Sequence, residues 1–261
     1  FVPLRASARF PALKTGAIDL LVRNTSWTLS REAGLKVQFA GILYYDGQGF
    51  MVPATGGVKS LAQLNGETVC VEKGTTHERN LLDDFASRGM SVKPLVIDST
   101  TGVADAFFAG RCKAYTSDVS QLAAVRLRAP AGQAFHILPD RISKEPLAPA
   151  VRSGDDEWLT LVRWVLFTLV AAEEDGITRD NVRAMKERAR NPAVRRALGE
   201  DAELGLALEA DPDWALRVVQ SVGNYGEMFE RNLGGRSPLR LERGENRPWL
   251  QGGLMYAPPL R

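Results

Sequence analysis

Two polar clusters hold the residues best placed for chemistry. In the run KGTTHERNLL, Gly74 and Thr75 stand where a β-like stretch gives way to a helical one. Backbone N–H groups at a helix start, together with the hydroxyls of Thr75 and Thr76, can face an anion there; either threonine can equally cap the helix. In YTSDVSQL, Asp118 occupies the turn from a later strand into a helix. Open α/β sheets bind ligands at the carboxyl ends of their strands, so Asp118 can meet a ligand there or act as a plain N-cap.

Covalent and metal chemistry have little to draw on. There is no P-loop, no C-x-x-C, no H-E-x-x-H and no G-x-S-x-G. GQGFMV starts like a dinucleotide fingerprint but has Val52 in the last position and no clear helix after it. The only histidines, His77 and His136, are far apart in sequence, and His77 reads as a solvated helix residue. No metal and no cofactor are expected. The only cysteines are Cys70 in VCVEKG and Cys112 in GRCKAY. A bridge between them would close a loop of about 42 residues and add roughly 4 kcal/mol in an oxidising compartment; two unrelated small core residues explain the spacing as well.

The elements that must position these groups read as α/β. Residues 1–45 give an apolar start at FVPL, a helical RFPALKTG ending at Gly16, a strand IDLLV, a polar NTSWTLSR and a strand VQFAGILYY. From Phe50 to Arg128, strands FMVP, ETVCVE, KPLVID and CKAYTS alternate with helices VKSLAQLNG, THERNLLDDFASRG, TTGVADAFFAG and VSQLAAVRLR. That alternation predicts a mostly parallel sheet with helices on both faces. ISKEPLAPAV, with two prolines, reads as an extended connection, and VRSGDDEW as the acidic start of a helix. The remainder is helical: Trp158, Leu161, Val162, Val165 and Leu169 recur at helical spacing, Thr178 can cap TRDNVRAMKERA, and Asp211 precedes Pro212 at a first-turn position.

The balance of 33 Lys and Arg against 31 Asp and Glu leaves a net charge of +2, which favours a small-molecule partner over nucleic acid or a membrane surface. WVLFTLVAA at Trp164–Ala172 is far short of the roughly 20 apolar residues that a bilayer requires, so the chain is not expected to be membrane-embedded.

Taken together, RFPALKTGAIDLLVRNTSWTLSR, YYDGQGFMV, VKSLAQLNGETVCVEKGTT and GRCKAYTSD resemble the polar amino-acid family of periplasmic solute-binding proteins. The similarity spans essentially the whole chain and is greatest to the general L-amino-acid receptors of ABC transporters. Those share the segments found here at Trp27–Arg31, Tyr44–Val52, Ile142–Leu147, Gly223–Glu227 and Tyr256–Pro259.

The resemblance implies a two-lobed α/β fold of the type II periplasmic-binding-protein kind. Lobe I would take residues 1–46 and 147–261, and lobe II residues 47–146, with hinges at Gly47, Gly49, Lys144 and Pro146. Family members ordinarily begin with a further strand and helix, so a first lobe lacking that N-terminal segment is expected. The resemblance also implies that Arg31 grips a ligand's α-carboxylate with Ser26, Asn24, Thr75 and Thr76, that Asp118 takes the α-ammonium, and that Cys70 and Cys112 are bridged. It implies a periplasmic, non-enzymatic receptor, made with a signal peptide, which passes L-amino acids to an inner-membrane ABC permease. The alternative is a dehydratase-like enzyme on the same fold, which would need a general acid or base besides the two groups already committed to the zwitterion.

Overall fold

The computed structural model describes residues 1–200 and 202–260. The chain forms two compact units, Phe1–Val37 with Tyr44–Arg152, and Gln38–Leu43 with Ser153–Arg261.

The first unit is organised by a five-stranded sheet in the order Lys93–Ile97, Thr68–Glu72, Ala114–Asp118, Gln48–Pro53, Phe135–Ile137. Period-two alternation buries both faces. Phe50, Val52, Val69 and Ala114 point to one side, where Leu81 and Phe85 of the helix His77–Ser87 cover them. Met51, Cys70 and Tyr115 point to the other, under Val103 and Phe107 of Thr100–Phe108 and Leu122 and Val125 of Val119–Arg126. Each large apolar side chain so enclosed contributes about 1.5–3 kcal/mol, and truncating Phe50, fully buried here, would cost about 3–5 kcal/mol.

The first three strands are mutually parallel, whereas Gln48–Pro53 runs antiparallel to both its neighbours. Four of the five strands therefore share a direction, and the expectation of a mostly parallel sheet holds with one reversal. Gln48–Pro53 is entered directly from the strand Tyr44–Asp46, with no crossover helix to turn the chain round. Its register places Gln48 beside Asp118, so the carboxyl end of Ala114–Asp118 meets the start of the reversed strand.

Several expected elements differ. IDLLV makes only an isolated bridge, Leu21 to Ala150, with N–H···O distances of 2.9 and 3.0 Å. The polar NTSWTLSR leads into a helix, Leu29–Leu35, whose first turn is capped by Thr28 accepting from the Arg31 N–H. VQFAGILYY is two strands, Val37–Phe39 and Tyr44–Asp46, separated at Gly41, whose φ of 153° breaks the pleat. VKSLAQLNG tightens to a 3₁₀ turn at Leu61–Leu64. Tyr44–Asp46 pairs antiparallel with Glu145–Leu147, Tyr45 opposite Pro146, so the two extended segments of the first unit lie side by side.

In the second unit the helix Asp156–Glu174 starts where Asp155 accepts from the Trp158 N–H at 3.0 Å, and Ala172 packs with Val182, Leu216 and Val219. Arg243 forks onto Glu173 at 2.9 and 3.0 Å while lying over the rings of Tyr225 and Phe229. Thr178 accepts from the Asn181 N–H and the helix proper begins at Val182. Pro212 precedes its helix, which begins at Trp214. Among the described residues no helix is long and apolar enough to cross a membrane.

Candidate ligand-binding site

All the residues expected to hold a ligand lie in the first unit, at the end of the sheet where Asp118 and Gln48 meet. Arg31 is set by the first turn of its helix and is buried; its Nη1 donates to the Ser26 carbonyl at 2.8 Å. Its guanidinium lies 5.4 Å from the centre of the Phe10 ring, and Arg9 lies 5.3 Å from the same ring. Arg9, on the helix Arg9–Lys14, is only 1% exposed. It donates to the carbonyls of Asn24 (2.7 Å) and Gly74 (3.4 Å), and its Nε has no partner among the described residues. Among the described residues neither guanidinium has a carboxylate within ion-pairing distance. Burial, then the neighbouring Arg31 and Arg23, bring Arg9 down to about 9, and burial also lowers Arg31 against the opposing pull of Glu145 and Asp118.

The anionic side is built on Asp118, 2% exposed, whose oxygens face Asn24 Nδ2 at 3.3 Å and His77 Nε2 at 3.1 Å. Asp118 makes no side-chain cap, although it stands at the N-cap position. Asp46 takes that task, accepting from the N–H groups of Val119 and Ser120, each at 3.2 Å, and of Gly47 at 2.8 Å. The capping alternative for the threonines fails likewise: Thr75 donates to the Glu72 carbonyl at 2.7 Å and Thr76 to Glu145 at 2.9 Å. His77 is a correction to the sequence reading. It is buried rather than solvated, because it continues inward the stripe of Leu81 and Phe85.

Glu145 joins these parts. Its Oε2 accepts from Ser26 Oγ and Thr76 Oγ1, and its Oε1 from Asn80 at 2.8 Å and Ser143 at 2.6 Å. Two chains of hydrogen bonds result, Arg31 to Ser26 to Glu145 to Thr76, and Arg9 to Asn24 to Asp118 to His77. Thr75 stands apart, bonded to the strand behind it. The hydroxyl protons of Ser26 and Thr76 are spent on Glu145, so these two residues hold the surroundings of Arg31. Sequence reasoning missed Glu145, Arg9, Asp46 and the burial of His77.

His77, Asp118 and Glu145 bring potential metal-ligand atoms within 4.8 Å of one another. Both Glu145 oxygens already accept two hydrogen bonds each, and a metal would have to displace them. The arrangement suits a molecule that carries both signs of charge: an anion for the two guanidiniums without carboxylate partners, and a cation for Asp118.

Gly47 and Gly49 have ordinary negative-φ backbones, and it is close packing that requires glycine. A Cβ on Gly49 would stand 2.9 Å from Val119 Cγ2, and one on Gly47 would stand 3.1 Å from the Ser143 carbonyl. Cys70 and Cys112 form a disulfide with their Cα atoms 5.6 Å apart.

No protein-family model matches the sequence. The glutamate/glutamine/aspartate/asparagine-binding protein BztA of Rhodobacter capsulatus is 47% identical over 261 residues, covering 100% of this chain and 77% of its own. The general L-amino acid-binding periplasmic protein AapJ of Rhizobium johnstonii is 47% identical over 263 residues, with the same coverage. Among solved structures, the periplasmic binding protein of Brucella ovis with glutathione bound superposes with a TM-score of 0.96 at 46% identity, over 100% of this chain and 82% of that one. The fold is thus the α/β, type II fold of periplasmic amino-acid-binding proteins. With identity at this level over the whole of this sequence, the chain belongs to the solute-binding proteins of amino-acid ABC transporters.

Proposed function

We propose that the protein is an extracytoplasmic receptor that binds free L-amino acids with broad side-chain tolerance and delivers them to an inner-membrane ABC permease without altering them. The observation that carries this reading is the pair of buried guanidiniums, Arg31 and Arg9, with no carboxylate partner among the described residues, set near an Asp118 whose oxygens face the Asn24 amide and His77. An enclosed zwitterion loses several kcal/mol of hydration per charge unless each charge is paired. Arg31 takes the α-carboxylate as a planar fork, Ser26 and Thr76 hold its surroundings through Glu145, and Asp118, with Asn24 beside it, takes the α-ammonium.

The relatives support the same substrate class. Free amino acids and the γ-glutamyl end of glutathione share one feature, an α-ammonium and an α-carboxylate on one carbon. Grip on that feature alone leaves the side chain free to vary. The disulfide fits an oxidising compartment outside the cytoplasm.

In this reading the lobes divide at the paired crossings, as residues 1–46 with 147–261 and residues 47–146. This cut differs from the grouping by compactness, which takes residues 1–37 with the five-stranded sheet. Gly47, Gly49, Lys144 and Pro146 flank the crossings as hinges. A dehydratase finds no support among the relatives, and Asp118, committed to the ammonium, is not free as a general base.

Calorimetric titration with L-amino acids and their D-enantiomers tests the proposal. The expected result is L-selective binding near micromolar, about −8.2 kcal/mol, lost in Arg31→Ala and Asp118→Ala. Failure of the native protein to bind any amino acid would reject the receptor reading.

A further inference from the structure

We propose that His77 is a positioning residue for Asp118 that makes ligand binding proton-linked, so that acidification drives the amino acid out. This inference rests on the receptor reading and concerns the same site. His77 is 4% exposed, with Nε2 3.1 Å from Asp118 Oδ1 and, among the described residues, no partner for Nδ1. Gln48 Nε2 fixes the start of its helix, donating at 3.0 Å to the His77 carbonyl and at 2.9 Å to Thr116 Oγ1. Among the described residues the imidazole therefore has one polar side-chain neighbour within hydrogen-bond distance, and that neighbour is the carboxylate assigned to the α-ammonium.

The charged groups around His77 decide the sign. Asp118 faces it from the end of its strand, and Glu145 comes within 4.8 Å from the extended segment Glu145–Leu147. Asp46, Arg9 and Arg31 act on the same cluster through Asp118. Glu78 and Arg79, next along its helix, lie outside the cluster on less buried positions. A neutral imidazole donates Nε2–H to Asp118 Oδ1, fixes the carboxylate and leaves its charge for a ligand. A protonated imidazole supplies Asp118 with a cation of its own and places a like charge beside the incoming ammonium. An amino acid's own charges do not change between pH 5 and 8, whereas histidine is the side chain that can gain a charge in that interval.

The test is titration calorimetry with L-glutamine from pH 8 to pH 5.5 on the native protein and on His77→Gln, whose amide can still donate to Asp118. The native protein should lose affinity towards about tenfold per pH unit at the acid end, and binding there should release a proton, seen as an enthalpy that depends on the buffer. His77→Gln should bind a few-fold more weakly at pH 8 and lose the pH dependence. Histidine-labelled NMR gives a second readout on the native protein, since His136 is the only other histidine. Ligand added at the acid end should move the His77 ring signals towards those of a neutral imidazole and leave the His136 signals in place. A flat native profile, or the native slope persisting in His77→Gln, overturns the role of His77 while amino-acid binding stands. No binding by the native protein at pH 8 overturns the receptor reading and this inference with it.

Discussion

Arg9 and Arg31 share one phenyl ring, that of Phe10, with their guanidinium carbons 5.3 and 5.4 Å from its centre. Two like charges in a buried place, bonded among the described residues to carbonyl oxygens alone, are favourable chiefly when an anion joins them. Arg31→Lys keeps the charge but loses the fork and the planar face that lies on the ring. It should weaken L-amino-acid binding about 10- to 100-fold, with Arg31→Ala weaker still. Calorimetry on both variants checks the order; equal affinity in Arg31→Lys would place the α-carboxylate elsewhere.

Arg9 predicts a pH dependence of stability. Its folded-state value, brought down to about 9, lies well below that of an ordinary guanidinium, so the unfolded chain binds this proton more tightly than the folded one. The charged group opposes folding below about pH 9, and this opposition is relieved as pH rises from there. The unfolding free energy of the native protein relative to Arg9→Met should therefore increase between pH 9 and 10.5, by at most about 1.4 kcal/mol per unit. Urea unfolding of both proteins at pH 8, 9.5 and 10.5 measures it, and a constant difference would contradict it.

The sequence and the structure part company where distant segments meet. The sheet strands and their covering helices were legible because Phe50, Val52, Leu81 and Phe85 carry clean periods of two and four. The helix Leu29–Leu35 was not, since LSREAGL offers no apolar stripe and only Thr28 marks its start. A strand-to-helix turn suits Asp118 as a cap or as a ligand contact, and only the fold brings Asp46, 73 residues away from Val119, to do the capping. Glu145 sits in an extended proline-flanked run that looks like solvated linker; its partners Ser26 and Asn80 come from 119 and 65 residues away. The inward face of His77 was readable in principle, because His77, Leu81 and Phe85 fall on one helical stripe.

The Cys70–Cys112 bridge ties the strand Thr68–Glu72 to the approach of Ala114–Asp118, which ends in the site's carboxylate. It spans a separation of 42 residues, so reduction should cost about 4 kcal/mol on the chain-entropy model. Cys70 and Cys112 are both buried, so reduction should need partial unfolding and proceed slowly in the native state. Thermal unfolding with and without reductant, and of the double Cys→Ala variant, should show a drop of several degrees. Unchanged melting would mean that the bridge adds little beyond the core already packed around it.

Glu145 gathers four donors from three separated parts of the chain, and it stands opposite Asp46 in the paired crossings. Glu145→Ala would strand the Asn80 amide and leave the hydroxyls of Ser26, Thr76 and Ser143 to find new acceptors. The loss should be about 3 kcal/mol, read as a lower midpoint of urea unfolding at unchanged slope. Binding should suffer as well, because Arg31 is held by the carbonyl of the same Ser26 whose hydroxyl Glu145 secures. Glu145→Gln separates the two effects. Rotatable hydroxyls can turn to accept from the new amide, so stability should recover in part, while the opposing charge that sustains Arg31 is lost. A Glu145→Gln protein with native stability and native affinity would reduce Glu145 to a spacer between the crossings and remove it from the site.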